Sequence, residues 1–121
     1  MSPRRPPASA FLPLTPAVFH ILLSLSESDR HGYGIAKDVA AQTGDRVRLG
    51  PGTLYGTLTR MLETGFVEER TSPPAHEDDP DERRRYYRIT PLGRDVARAE
   101  AQRLVELVDL ARSRALLKPV R

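Results

Sequence analysis

The side chains best placed to do chemistry in this sequence are arginines set among small residues, and the chemistry they suit is recognition of a polyanion. In the stretch from Pro51 to Thr64, Gly52, Gly56 and Arg60 recur every fourth residue, with Thr53, Thr59 and Glu63 beside them. On a helix that spacing gathers the three on one face. A glycine inside a helix costs about 1 kcal/mol relative to alanine, so Gly56 asks for a compensating use. A helix face without Cβ atoms lets a phosphate or a base edge approach closely, and Arg60 could then fork onto a guanine or clamp a phosphate. The plainer alternative is that Gly56 makes room for a neighbouring helix and that Arg60 is a solvated charge. Tyr55 falls at the edge of the apolar stripe, where its ring can be half covered and its hydroxyl free for a phosphate. Tyr33 and Lys37 belong to an earlier helix, and Lys37 points away from that helix's apolar face. Arg70 and the run Arg83-Arg84-Arg85 flank a loop that also carries Glu77, Asp78, Asp79, Asp81 and Glu82. Acids so close to a duplex would be repelled by its phosphates, so the loop tip is expected to hang away from DNA.

Other chemistries find little support. His20, His31 and His76 fall on a helix, a turn and a loop, with no triad or metal-ligand spacing, and there is no cysteine and no glycine-rich phosphate cradle. No catalytic residue, metal site or cofactor is expected, and the chain is read as a non-enzyme. The absence of cysteine suits a reducing cytoplasm, and no apolar run reaches the roughly 18 residues that span a membrane. The formal charge of +3 and pI near 9.7 permit a polyanionic partner without demanding one. Lys37 and Lys118 are the only lysines among 19 basic residues, an arginine excess that coding bias alone could produce. The positions of the arginines therefore carry more weight than their number.

The elements that must position these residues follow from periodicity and punctuation. Residues 1–13 hold four prolines and two arginines and read as a mostly flexible arm. Thr15-Pro16 starts a helix that is apolar nearly all round to Ser26, and Glu27–Gly32 reads as a turn. A second helix is predicted from Tyr33 to Thr43, followed by Arg46–Leu49 as a short strand or extended linker. The third, Pro51 to Thr64, carries Leu54, Leu58, Met61 and Leu62 on one stripe, and Gly65 ends it. Phe66–Arg70 and Tyr86–Ile89 are strands joined by the proline-rich, charged loop. Thr90-Pro91 then opens a helix that no proline interrupts before about Leu117, roughly 40 Å long at ~1.5 Å per residue. Ala97, Ala101, Leu104, Val108, Ala111 and Ala115 recur at alternating spacings of four and three, the seam of a helix that packs on another helix. The likeliest partner for so long a seam is a second copy of the chain, with Phe19 adding to the interface.

Three helices, a two-stranded wing and a long helix describe a mainly α fold with a small β-wing: an arm (1–13), a winged helix-turn-helix domain (14–90) and a C-terminal dimerisation helix (91–118). In that fold the third helix enters the major groove. Several motifs in order then resemble the PadR-like family of transcriptional regulators: His31-Gly32-Tyr33-Gly34-Ile35; Gly52-Thr53-Leu54-Tyr55 with Leu58, Arg60 and Leu62; Glu63-Thr64-Gly65-Phe66-Val67; and Arg85-Tyr86-Tyr87-Arg88-Ile89-Thr90 followed by Gly93-Arg94. The resemblance covers residues 14–100, and the single helix after the wing matches the smaller branch of the family. It implies a cytoplasmic homodimeric repressor on a palindromic operator of double-stranded DNA, often released by a small aromatic or drug-like effector. Phe11, Phe19, Leu104 and Val108 could line an effector pocket or simply pack. The chain departs from the family pattern in having no tryptophan, in Gly50 where a serine or threonine cap is common, and in its long acidic wing loop. The rival reading is a winged-helix protein-interaction module, which would show apolar residues on the third helix instead of Gly, Thr and Arg.

Overall fold

The computed structural model describes residues 6–70 and 85–119. Helix α1 (Pro16–Glu27) begins where the Thr15 hydroxyl oxygen accepts the Val18 amide at 3.3 Å, with Pro16 in the first turn. Its apolar circumference puts Ile21, Leu22 and Leu25 at the centre of the core. Helix α2 (Gly32–Gln42) is capped by an imidazole: His31 Nδ1 accepts the Gly34 amide at 3.1 Å. The segment 46–49 is an extended linker that tucks Val47 and Leu49 against the core. Helix α3 (Pro51–Thr64) runs over the residues its periodicity predicts and buries Leu54, Thr57, Leu58 and Met61, while Leu62 is half-buried against the same core. Gly65 then turns the chain with φ of 84°, a left-handed conformation that glycine adopts without penalty.

Among the described residues the sheet has three strands, not two. Strands β2 (Val67–Arg70) and β3 (Tyr86–Ile89) pair antiparallel as expected, and β1 (Arg30–His31) joins the other edge of β3, giving the order β1-β3-β2. The sequence predicts only a turn over Glu27–Gly32. The pairing of Arg30 with Tyr87 and of His31 with Tyr86 is long-range, and two residues are too few to show any alternation. In the β2–β3 register Val67 faces Ile89 and Glu69 faces Tyr87, while Glu68 faces Arg88 and Arg70 faces Tyr86. Val67, Tyr87 and Ile89 join the core, so Glu68, Arg70 and Arg88 share the outer face.

Two further expectations need correction. The arm is not free up to residue 13, because Ala8–Phe11 forms a 3-10 turn, and Ala8, Phe11, Leu12 and Leu14 pack against the core. Phe11 meets Phe66 edge-to-face with ring centroids 5.0 Å apart, an apolar contact that outweighs the surrounding prolines. Helix α4 (Pro91–Ser113) starts as predicted, with Thr90 capping the Gly93 amide at 3.0 Å, but it ends four residues before Leu117. Arg114 is the C-cap and Ala115 adopts φ of 62°, which lets the Leu116 amide return to the Ala111 carbonyl at 2.9 Å. Ala115 therefore lies beyond the helix and outside its seam.

The N-terminal segment is held to α4 by a buried carboxylate. Glu100 is nearly inaccessible, receives Arg103 Nε at 2.6 Å and Nη2 at 2.9 Å, and also accepts the Leu14 backbone N–H. The Arg103 hydrogen bonds hold its carboxyl below the usual glutamate range, aided by the Leu14 amide and against the opposing effect of burial. Because the folded-state value is depressed, the contribution to stability is complete above the unfolded value of about 4.3 and is lost as pH falls through the folded value. Hydrogen exchange at the Leu14 amide should therefore stay protected from neutral pH down to about 4.3 and lose protection below it. In Glu100→Gln that protection should already be reduced at pH 7. Protection that is independent of both pH and this substitution would mean that the carboxylate does not seat the segment.

Candidate nucleic-acid interface

The helix α3 face opposite the core is open. Gly52, Thr53, Thr59 and Arg60 are exposed, and Gly56 is half-buried. Beyond its own helix, no atom lies within 4 Å of where a Cβ would stand on Gly50, Gly52 or Gly56. Among the described residues Gly56 thus makes room for no neighbouring helix, and nothing there compensates the cost of a glycine at that position. Gly50 supplies no side-chain cap, and Pro51 has no N–H, so the first-turn amides of Gly52 and Thr53 remain unclaimed by a capping side chain. The Thr59 hydroxyl donates back to the Tyr55 carbonyl at 2.8 Å, and Arg60 Nη2 reaches Thr57 Oγ1 at 3.5 Å, a weak tether on an exposed guanidinium.

Tyr55 is a junction residue. Its side chain lies on Gly32 at the start of α2, where a Cβ would come within 2.7 Å of Cζ and 2.8 Å of Cε1. A Cβ on Gly32 would have to push the end of the Tyr55 ring aside, so the glycine lets α3 and the first turn of α2 meet around this ring where it stands. The Tyr87 phenol on β3 is pushed above its ordinary range by burial first, then by Glu69 and Tyr55, with Arg85 acting in the opposite sense. Tyr55 thus stands where α2, α3 and the wing converge, still 47% exposed. Tyr33 is 71% exposed and stacks parallel on His31, with centroids 6.3 Å apart. Lys37 is exposed and has no ion-pair partner among the described residues.

On the wing, Arg85 is exposed with Glu69 Oε1 at 3.8 Å from its Nη1. Arg70 Nη1 donates to Asp29 Oδ2 at 2.8 Å, and Arg88 Nε approaches the same oxygen at 3.4 Å. Arg83, Arg84 and the five acids of the loop lie outside the described residues. In the sequence Asp29 is only part of a turn, and Gly32 is the end of that turn and a member of the His31–Ile35 motif. The crowding of Gly32 by Tyr55 and the partners of Asp29 both arise only through folding.

Along α4, Ala97 packs on the chain's own core, and Phe19 and Leu104 are half-buried. Ala101 is exposed, every residue from Val105 to Leu110 is exposed, Ala111 is half-buried, and Val105, Leu107, Val108 and Leu110 make the projecting half of the helix strongly apolar.

The model of the transcriptional regulator PadR-like family matches residues 21–99. The chain belongs to the PadR-like family. Among solved structures, the fold is similar to a PadR family transcription regulator from Clostridium difficile, with a TM-score of 0.68 and 25% identity, covering 82% of this chain and 97% of that one. It is also similar to a transcriptional regulator from Clostridium thermocellum, with a TM-score of 0.67 and 25% identity, covering 80% of this chain and 87% of that one. A curated relative, an uncharacterised protein of a Streptomyces fradiae transposon, is 33% identical over 87 residues, which is 72% of this chain and 22% of that protein. A second, from Lysinibacillus sphaericus, is 32% identical over 76 residues, 61% of this chain and 64% of the relative. The chain thus matches about a fifth of the first relative's length and under two thirds of the second's. In PadR-like terms the match spans α1 from Ile21 through the first turns of α4, so it takes in both α3 and the wing.

Proposed function

We propose that this PadR-like chain is a cytoplasmic, sequence-specific DNA-binding regulator that acts as a homodimeric repressor on a palindromic operator. The observation that carries the reading is the face of α3: two glycines with open space above them, Thr53 and Thr59 beside them, and Arg60 one turn on. Nothing among the described residues needs those glycines, whereas a duplex backbone in close approach would. Arg60 is assigned to a base edge. Lys37, Tyr33 and the wing arginines Arg70, Arg83, Arg84 and Arg85 are assigned to phosphates, with Tyr55 at the junction. The apolar half of α4 supports pairing with a second copy, whose own α3 would read the other half-site. A small aromatic effector is assigned to the seam near Phe19, Leu104 and Val108.

Substitution at Gly56 separates the two readings of that face. Gly56→Ala should raise stability by about 1 kcal/mol, because alanine is the better helix former and no neighbour obstructs its methyl group. The same variant should bind a duplex selected by this protein from a randomised pool at least tenfold more weakly. Arg60→Ala should cost about 1–3 kcal/mol of binding and relax base choice at one position per half-site, while Lys37→Ala should weaken all duplexes alike. Thermal melts and fluorescence-anisotropy titrations measure both properties. A Gly56→Ala protein that is more stable and equally tight on DNA would remove the reason for the open face.

A further inference from the structure

Asp29 lies in the turn after α1, outside every element assigned to recognition, yet its carboxylate reaches across to the wing. One oxygen, Oδ2, takes Arg70 Nη1 from β2 at 2.8 Å and Arg88 Nε from β3 at 3.4 Å. The Asp29 side chain is about two thirds buried, and those of Arg70 and Arg88 are more exposed than that. The next residue, Arg30, is itself fixed: it pairs with Tyr87 in the sheet, and its guanidinium binds Glu27 at 2.7 Å and the Ser24 carbonyl at 3.3 Å. Asp29 is therefore an anchored anion, whereas Arg70 is the last described residue of β2 before the wing loop.

We infer that Asp29 is a positioning residue for the wing, holding Arg70 and Arg88 in one fixed arrangement so that Arg70 meets a phosphate only when α3 is in register. A guanidinium has five N–H donors, and the Asp29 bond engages one edge of Arg70, leaving others free for an anion. Held in this way, the arginine adds to binding in the docked register and little elsewhere. Released, a long and rotatable side chain reaches phosphates on any duplex, and one negative charge near the DNA is removed as well. Arg88 is the weaker partner, because Glu68 Oε1 also lies 3.7 Å from its Nη1. Asp29 thus acts on specificity through Arg70, without touching DNA itself.

The inference rests on the DNA-binding reading, and the test separates the two. The full chain and its Asp29→Asn variant are titrated with a duplex selected by the wild type from a randomised pool and with a scrambled duplex of equal composition, at two salt concentrations. Asparagine preserves the shape of this partly exposed side chain, and a thermal melt checks folding, with Asp29→Glu as a second variant that retains the charge. Asp29→Asn should raise affinity for the scrambled duplex three- to tenfold at low salt and steepen its salt dependence by about one unit. Affinity for the selected duplex should stay level or fall, so discrimination drops, and Asp29→Glu should retain most of it. In an Arg70→Ala background the Asp29→Asn change should lose most of its effect, a coupling that a merely structural role would not produce. Equal factors on both duplexes, no change on either, or the same effect with Arg70 absent would each overturn the inference. A wild type that binds neither duplex would instead overturn the DNA-binding reading.

Discussion

Gly93→Ala should destabilise the protein by about 3 kcal/mol, the largest loss expected from adding a single methyl group to this fold. A Cβ on Gly93 would collide with the Phe66 carbonyl oxygen, stand 2.9 Å from Ile89 Cγ1 and lie 3.1 Å from the Phe66 carbonyl carbon. Backbone atoms cannot swing aside as a side-chain end can. The neighbourhood is also tied on several sides: the Thr90 hydroxyl donates to the Gly65 carbonyl with the Phe66 carbonyl within reach at 3.1 Å, the Thr90 amide donates to the Phe66 carbonyl at 3.1 Å, and the Gly93 amide caps back onto Thr90 Oγ1. Relief would require lifting the first turn of α4 off the β2 entry and would disturb Val96, which is fully buried. At about 4 °C per kcal/mol for a chain of this length, the midpoint should fall by roughly 12 °C at fixed protein concentration. A melt within about 2 °C of wild type would mean that α4 can shift at little cost.

Breaking the proposed dimer should have the larger effect on function. Ala101→Glu combined with Val108→Glu places two carboxylates seven residues apart on one face of α4. Both positions are exposed in the single chain, so the fold of each copy should stand. Across a symmetric seam the four acids would face one another in a desolvated interface, an arrangement that costs several kcal/mol. Sedimentation should show the mass of one chain in place of two. Affinity for a two-half-site duplex should fall by roughly 100-fold or more, because linkage of two half-site contacts supplies avidity of about that size. Affinity for a single half-site should hardly change, which separates loss of pairing from damage to the reading helix. A double variant that remains a dimer, or a wild type that sediments as one chain and still binds tightly, would defeat the proposal.

The two kinds of helical glycine show how far residues could be read before folding. Gly52 and Gly56 stood out because they interrupt a strongly periodic helix, and the structure adds that the space above them is empty. Gly32 and Gly93 were legible only as members of motifs that resemble a family. Nothing local distinguishes them from the open pair, since their crowding comes from Tyr55, 23 residues away from Gly32, and from Phe66, 27 residues away from Gly93. The same limit hid β1, which pairs with β3, and the seating of Phe11, which depends on Phe66. It also placed the end of α4 too late, because the absence of proline permits a helix to continue without requiring it to, and Ala115 turns into the left-handed region where a glycine would have given warning.

What the sequence determined by itself was each element whose cause is local. Thr15-Pro16 and Thr90-Pro91 start helices, Gly65 ends one, the leucine stripe orients α3, and β-branched and aromatic residues mark β2 and β3. These are consequences of hydrogen-bond supply at helix ends and of apolar periodicity, and both act over one or two turns. Only the tertiary structure decided which polar groups from different elements became partners. Asp29 meets Arg70 across 41 residues and Arg88 across 59, and the Leu14 amide finds Glu100 because packing of the core brings α4 beneath the N-terminal segment. An ion pair between distant elements, such as Asp29 with Arg70, is specified by where those elements place its two ends, and no spacing along the chain encodes it, unlike a pair three residues apart on one helix such as Glu100 with Arg103.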